Sequence, residues 1–202
     1  MVGTIGIISN CGSMQNKEQC AVFIDAGYLT EVCKTANIRI DFLKFSETLA
    51  ERIACYRFKT FYYDCAPYQD EKSTEQEKEF YNKKLSFFDA IKYLPRFEVK
   101  YGKLQRLLKS DGKWSYNQKM VDTLLSLDLL NSVHNKYISS AIIVSGDSDF
   151  VPAVKYAKDA GATIYAAYFK SATNKTLIHD HLKQECDDRI EIDKTFLELC
   201  KK

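Results

Sequence analysis

A chain of 202 residues that is 46% hydrophobic can bury an ample core, and that length suits one domain. A net charge of +2 is too small to argue by itself for a nucleic-acid partner, and no apolar run approaches a membrane span. The seven cysteines are odd in number, form no C-x-x-C pair and follow no secretory segment, which places them as buried or idle thiols in a reducing cytoplasm.

Residues 1 to 19 lack periodicity and are rich in small polar residues, which predicts a loosely ordered extension ahead of a domain at 20 to 202. Ala21 to Asp25 is the first strand, Leu29 to Ala36 a short helix, and Ser46 to Cys55 a longer helix capped by Ser46. Phe58 to Tyr63 alternates aromatic and polar residues, as a strand does. The loop from Ala66 ends at a capping box of Ser73 and Gln76. The helix it opens carries Tyr81, Leu85, Phe88 and Ile91 as its buried stripe and runs to Leu94, where Pro95 stops it. Phe97 to Tyr101 is a short strand, and residues 117 to 135 form a leucine-rich helix.

From Ala141 to Phe169 the chain reads strand, loop, helix, strand. Ile142 to Val144 have no polar partner in the alternation, as expected of a strand buried on both faces. Gly146 permits a sharp turn, Ser148 or Asp149 can cap the next helix, Pro152 fits its first turn, and Gly161 fits the left-handed residue after its end. Thr163 to Phe169 is a strand, Asn174 to Gln184 a helix, Arg189 to Ile192 an edge strand and Lys194 to Cys200 a tail helix. Strands alternating with helices predict an α/β fold with a mostly parallel central sheet, covered by helices on both faces.

Two carboxylates, Asp147 and Asp149, then stand at the carboxyl end of a central strand, where open α/β sheets place their ligands. Asp149 capping the helix and Asp147 making an Asx-turn would account for the same pair. Asp25 ends the first strand in the same manner, and carboxylates ending two parallel strands can converge on a hard cation. The helix at 117 to 135 adds Asp122 and Asp128. Six residues separate them by roughly 9 Å along the axis and on different sides, so only one belongs to a shared site. Asp122, in the first turn where the dipole favours an anion, is that one; Asp128, near the middle of the apolar face, suits a structural hydrogen bond. His134, His179 and His181 read as structural or surface residues, the last two pointing different ways from one helix.

Four blocks of residues carry a resemblance. They are Val22-Phe23-Ile24-Asp25-Ala26-Gly27-Tyr28-Leu29, Tyr62-Tyr63-Asp64-Cys65-Ala66-Pro67, Gln118-Lys119-Met120-Val121-Asp122 and Ser145-Gly146-Asp147-Ser148-Asp149-Phe150-Val151-Pro152. Over roughly residues 20 to 193 the chain resembles the NYN domain proteins, specifically the LabA-like branch of the PIN-like nuclease superfamily. Where many NYN domains have an asparagine soon after the first aspartate, Ala26, Gly27 and Tyr28 follow here. The resemblance implies a three-layer α/β/α sandwich, a divalent cation held by aspartates, and cleavage or binding of single-stranded RNA. It carries the acidic set over to Asp25, Asp122, Asp147 and Asp149, as metal ligands and catalytic residues together. Phosphodiester hydrolysis needs an activated water and shielding of the leaving oxygen, and Mg²⁺ or Mn²⁺ held by carboxylates supplies both.

That reading makes the chain an endoribonuclease. Its main competitor is a PIN-like fold that binds RNA or a protein partner, or a second copy of itself, without cleaving. Asp147-Ser148-Asp149-Phe150-Val151 also fits the D-x-D-x-[TV] pattern of phosphoaspartate phosphatases, but only 53 residues follow Asp149. Gly146-Asp147-Ser148 fits serine esterases, yet neither His179 nor His181 has an aspartate three residues before it. Residues 100 to 119 hold Lys100, Lys103, Arg106, Lys109, Lys113 and Lys119 against the single acid Asp111, with Tyr101, Trp114 and Tyr116 interleaved. An acidic metal site repels phosphate, so this segment is the expected guide for an RNA strand: Lys103, Arg106, Lys109, Lys113, Trp114 and Lys119, with Ser145 from the loop. An ordinary solvated hairpin turning at Asp111-Gly112, with Trp114 packed on the core, is the other reading of the same residues.

Overall fold

The computed structural model describes residues 18–69, 73–108, 114–171 and 176–202, with backbone alone at 105–108 and 114–118. The extension expected at residues 1 to 17 lies outside them. Seven strands form one sheet: β1 (Gln19–Asp25), β2 (Tyr56–Cys65), β3 (Phe97–Leu108), β4 (Trp114–Lys119), β5 (Ser140–Val144), β6 (Thr163–Phe169) and β7 (Asp188–Ile192). Their order is β4-β3-β2-β1-β5-β6-β7. Every pairing is parallel except β3 with β4, an antiparallel ribbon in which Lys103 lies opposite Lys119.

Helices α1 (Ala26–Ala36), α2 (Phe42–Arg52), α3 (Glu75–Lys92) and α7 (Lys194–Leu199) cover one face, and α4 (Val121–His134), α5 (Val151–Asp159) and α6 (Asp180–Glu185) the other. Alternate residues of each central strand feed the two cores: Val22 and Ile24 join Phe45, Phe88 and Phe196, while Ala21 and Phe23 join Leu125, Leu129 and Val154. Each such fully buried valine, isoleucine, leucine or phenylalanine contributes about 1.5–3 kcal/mol. This is the expected α/β/α sandwich. β2 lies on one side of β1 and β5 on the other, so the chain reverses its progress across the sheet between β1 and β5. Their carboxyl ends therefore open the crevice in which such sheets bind ligands.

Several element boundaries differ from expectation, some through local capping and some through distant partners; β3, expected at Phe97 to Tyr101, runs on to Leu108 because it pairs with β4. Asp41, not Ser46, caps α2 by accepting from Lys44 N; Ser46 is buried inside the helix and its hydroxyl donates to Phe42 O. The capping box of α3 is Thr74 with Glu77, one register along from Ser73 and Gln76. Residues 117 to 119 are strand, because they pair with Lys103, Leu104 and Gln105, and α4 starts at Val121 after Met120 at φ 75°. Thr176 to His179 are not helical: Leu177 N donates to Phe169 O and His179 N to Gly146 O, so α6 begins only at Asp180.

Candidate metal centre

Asp122 enters the site in the first turn of α4, and Asp147 and Asp149 from the loop after β5. One oxygen from each of the three carboxylates lies within 4.8 Å of the other two, and all three side chains are exposed. Asp147 caps a single 3-10 turn at Ser148–Phe150 by accepting from Asp149 N at 3.0 Å, so it orients the loop that carries Asp149. Neither Ser148 nor Asp149 caps α5, whose first turn instead holds Pro152 as expected. Among the described residues no lysine or arginine pairs with the trio. Asp122 is held above the usual carboxylate range by its surroundings and by the charges of Asp147, Asp25 and Asp149. Three oxygens that repel one another across a solvent-open gap fit a hard divalent cation, which binds oxygen ligands and relieves the repulsion.

Asp25 is not part of the trio. It ends β1 and caps α1, one oxygen accepting from Tyr28 N at 3.2 Å and the other from Ser145 Oγ at 3.1 Å. Burial pushes its pKa up, the two hydrogen bonds oppose this, and the charge of Asp147 adds to the rise. Ser145 Oγ in turn accepts from Asp147 N at 3.3 Å, so Asp25 reaches the trio through one buried hydroxyl. Ser145 had been expected at the RNA surface; it has no exposed surface, and its hydroxyl serves the acid loop instead.

Gly146 is required for space rather than for its backbone freedom. A Cβ there would sit 2.6 Å from Leu177 O and 2.9 Å from the Tyr28 ring. Asp128 stands apart: Tyr63 Oη donates to it at 3.0 Å and Lys100 Nζ lies 3.7 Å away, so its partner is a tyrosine on β2. His179 caps α6 through Nδ1, and its ring meets that of His181 at 5.0 Å, edge to face. Because His179 precedes the helix, the two rings do not diverge.

Lys103 and Lys119 are exposed neighbours across the β3–β4 ribbon. Arg106 and Trp114 sit on the same ribbon with backbone alone described, while Lys109, Lys113 and the turn expected at Asp111-Gly112 lie outside the described residues. Asp64 went unread as a charged group at a strand end. Lys84 Nζ lies 2.6 Å from its Oδ2 and neutralises it as an ion pair, while Oδ1 accepts from Cys65 N at 2.8 Å.

The NYN domain family's model matches residues 19–193. A crystal structure of a protein of unknown function from Vibrio parahaemolyticus is similar to this chain with a TM-score of 0.56 and 18% identity, over 89% of this chain and 95% of that one. That likeness shows the fold. No curated protein matches the chain.

Proposed function

The chain belongs to the NYN domain family, a PIN-like nuclease family, and from that premise we propose that it is a divalent-metal-dependent endoribonuclease acting on single-stranded RNA. The observation that carries this reading is the convergence of Asp122, Asp147 and Asp149 at the carboxyl edge of a parallel sheet, with no cationic partner among the described residues. These three would hold the cation, Mg²⁺ or Mn²⁺. The chemistry supplied by such a cation when bound is a water made more acidic and a phosphate whose negative charge is screened. Asp147 fixes Asp149 through its N–H, and Asp25 fixes the acid loop through Ser145 while adding negative charge behind it. Lys103 and Lys119, with Arg106, Lys109, Lys113 and Trp114 from the same stretch of sequence, would bring the phosphate backbone in. The four matching blocks support the LabA-like branch as the finer placement, and the free thiols fit a cytoplasmic location. No helix among the described residues is long and apolar enough to cross a membrane.

The test is incubation of the purified protein with end-labelled single-stranded RNA, with and without Mn²⁺, beside Asp147→Asn. Internal cleavage that needs both Mn²⁺ and Asp147 is expected. RNA binding without cleavage, in a wild type whose melting temperature Mn²⁺ raises, would leave a non-catalytic binding module.

A further inference from the structure

Beside the acid trio, the loop after β2, helix α3 and strand β3 enclose a groove. It consists of two cavities of about 700 and 660 Å³ that share Pro67, Tyr68 and Leu104 as walls, a size typical of ligand sites. Phe80 lines the first with 62% of its surface exposed, and Tyr81 lines the second. The groove leads to the carboxylates: Gly102 floors the second cavity so closely against Val121 that a Cβ would lie 2.6 Å from Val121 Cγ2, and Val121 immediately precedes Asp122.

Charge is distributed unevenly along this path. Inside, Asp64 is matched by Lys84 and the Glu77 carboxylate is tied to the start of α3 by the capping box with Thr74, so the interior presents aromatic surface and one acid but, among the described residues, no unmatched lysine or arginine. At the rim stands Lys103, opposite Lys119 on the ribbon. An aromatic interior with its cations kept to the edge suits nucleobases inside and phosphates outside.

We propose that this groove is a stacking subsite for unpaired bases flanking the phosphate that is hydrolysed at the acid trio, with Phe80 and Tyr68 supplying the ring faces. The proposal rests on the nuclease reading for its orientation toward the carboxylates. It makes the enzyme selective for single strands, because paired bases cannot offer their faces to a side chain. Ring stacking tolerates any base, so cleavage would depend on strandedness rather than on sequence.

The test measures binding of the full chain, in EDTA so that nothing is cleaved, to a labelled oligoribonucleotide and to an abasic oligomer of equal length and charge. The wild type is expected to prefer the base-bearing strand by about tenfold or more, the equivalent of one stacked base. Phe80→Ala should erase most of that preference without altering the circular dichroism, and Phe80→Trp should keep it. A preference absent from the wild type, or intact in Phe80→Ala, overturns the subsite. Manganese-dependent cleavage is scored separately: if it survives while the preference is unmoved by Phe80→Ala, the groove proposal falls and the nuclease reading stands. If cleavage is absent and the preference tracks Phe80, the groove stands and catalysis falls.

Discussion

The two ends of the parallel sheet treat charge in opposite ways. Near the amino end of β2, Arg57 is almost wholly buried and every direction of its guanidinium is answered: Glu47 at 2.7 Å, the Thr60 hydroxyl, and the carbonyls of Pro95 and Arg96. At the carboxyl end, Asp122, Asp147 and Asp149 crowd together with no cation beside them among the described residues. A buried charge is tolerated when it is paired and hydrogen-bonded, whereas a cluster of like charges raises the free energy of the fold that holds it. The contrast recurs within single elements. In α4, Asp128 has Tyr63 and Lys100 while Asp122 sits among the charges of other acids, and Asp25, though near Asp147, is held by Tyr28 N and the Ser145 hydroxyl. Pairing marks the carboxylates that hold the structure together, and its lack marks those available to a ligand.

The sharpest way to break this division is Asp147→Asn, which removes one candidate ligand and leaves the capping amide oxygen in place. Cleavage of RNA is expected to fall by about a thousandfold or more, equivalent to about 4 kcal/mol of barrier, with the melting temperature of the metal-free protein unchanged or raised. Arg57→Ala should do the reverse. It removes the donor to the Pro95 carbonyl and the buried Thr60 hydroxyl and leaves Glu47 unpaired, costing about 3 kcal/mol in urea denaturation, while the folded fraction keeps its stabilisation by Mn²⁺. If Arg57→Ala spares stability but removes the Mn²⁺ response, the two ends are not separable.

Asp128→Ala tests the pairing rule inside one helix. The Tyr63 hydroxyl would lose its acceptor, at a cost of about 1–3 kcal/mol, and metal affinity should hardly change. An unchanged melting temperature with lost metal binding would show that the roles of the two α4 acids are exchanged. The smallest effect on stability is expected from Asp122→Asn. Because the fold raises the pKa of Asp122, the native state binds more protons than the unfolded chain above pH about 4, and stability is lost as pH rises through the raised native value. At neutral pH without metal the variant should therefore melt slightly above wild type. The difference should vanish below pH about 4, where the aspartate is protonated in both states, and added Mn²⁺ should reverse the order.

Legibility followed the range of the interaction that set each element. Thr163 to Phe169, flanked by Gly161 at φ 91°, needs only its own apolar run and its turn, and the strand is where the pattern puts it. The trio's loop was readable as well, since a carboxylate-rich turn after a buried strand is a local pattern. Misplacements came from distant partners. Residues 117 to 119 carry no strand signal of their own and become strand by pairing with β3, and the helix expected from Asn174 is held off by Phe169 O and Gly146 O. The burial of Ser145 was equally invisible, because the acceptor for its hydroxyl, Asp25, is far away in the chain. Where two registers satisfied one motif, as with Ser73–Gln76 and Thr74–Glu77, the observed box uses the charged glutamate, the stronger acceptor for backbone N–H groups.

The close walls around Gly146 give the last part of the chain a duty that no acidic residue there would announce. A fragment stopping at Lys170 would still contain all four aspartates of the set and every strand except β7. It would lack Leu177, whose carbonyl presses on Gly146, and His179, whose N–H clasps Gly146 O at 2.9 Å. The acid loop would lose that clasp and keep Ser145, Tyr28 and the buried Phe150 as anchors, which leaves Gly146 and Asp147 freer to move away from Asp122. A truncated chain could keep its ligands and lose their convergence, so the boundary of a working unit lies well beyond its last acid.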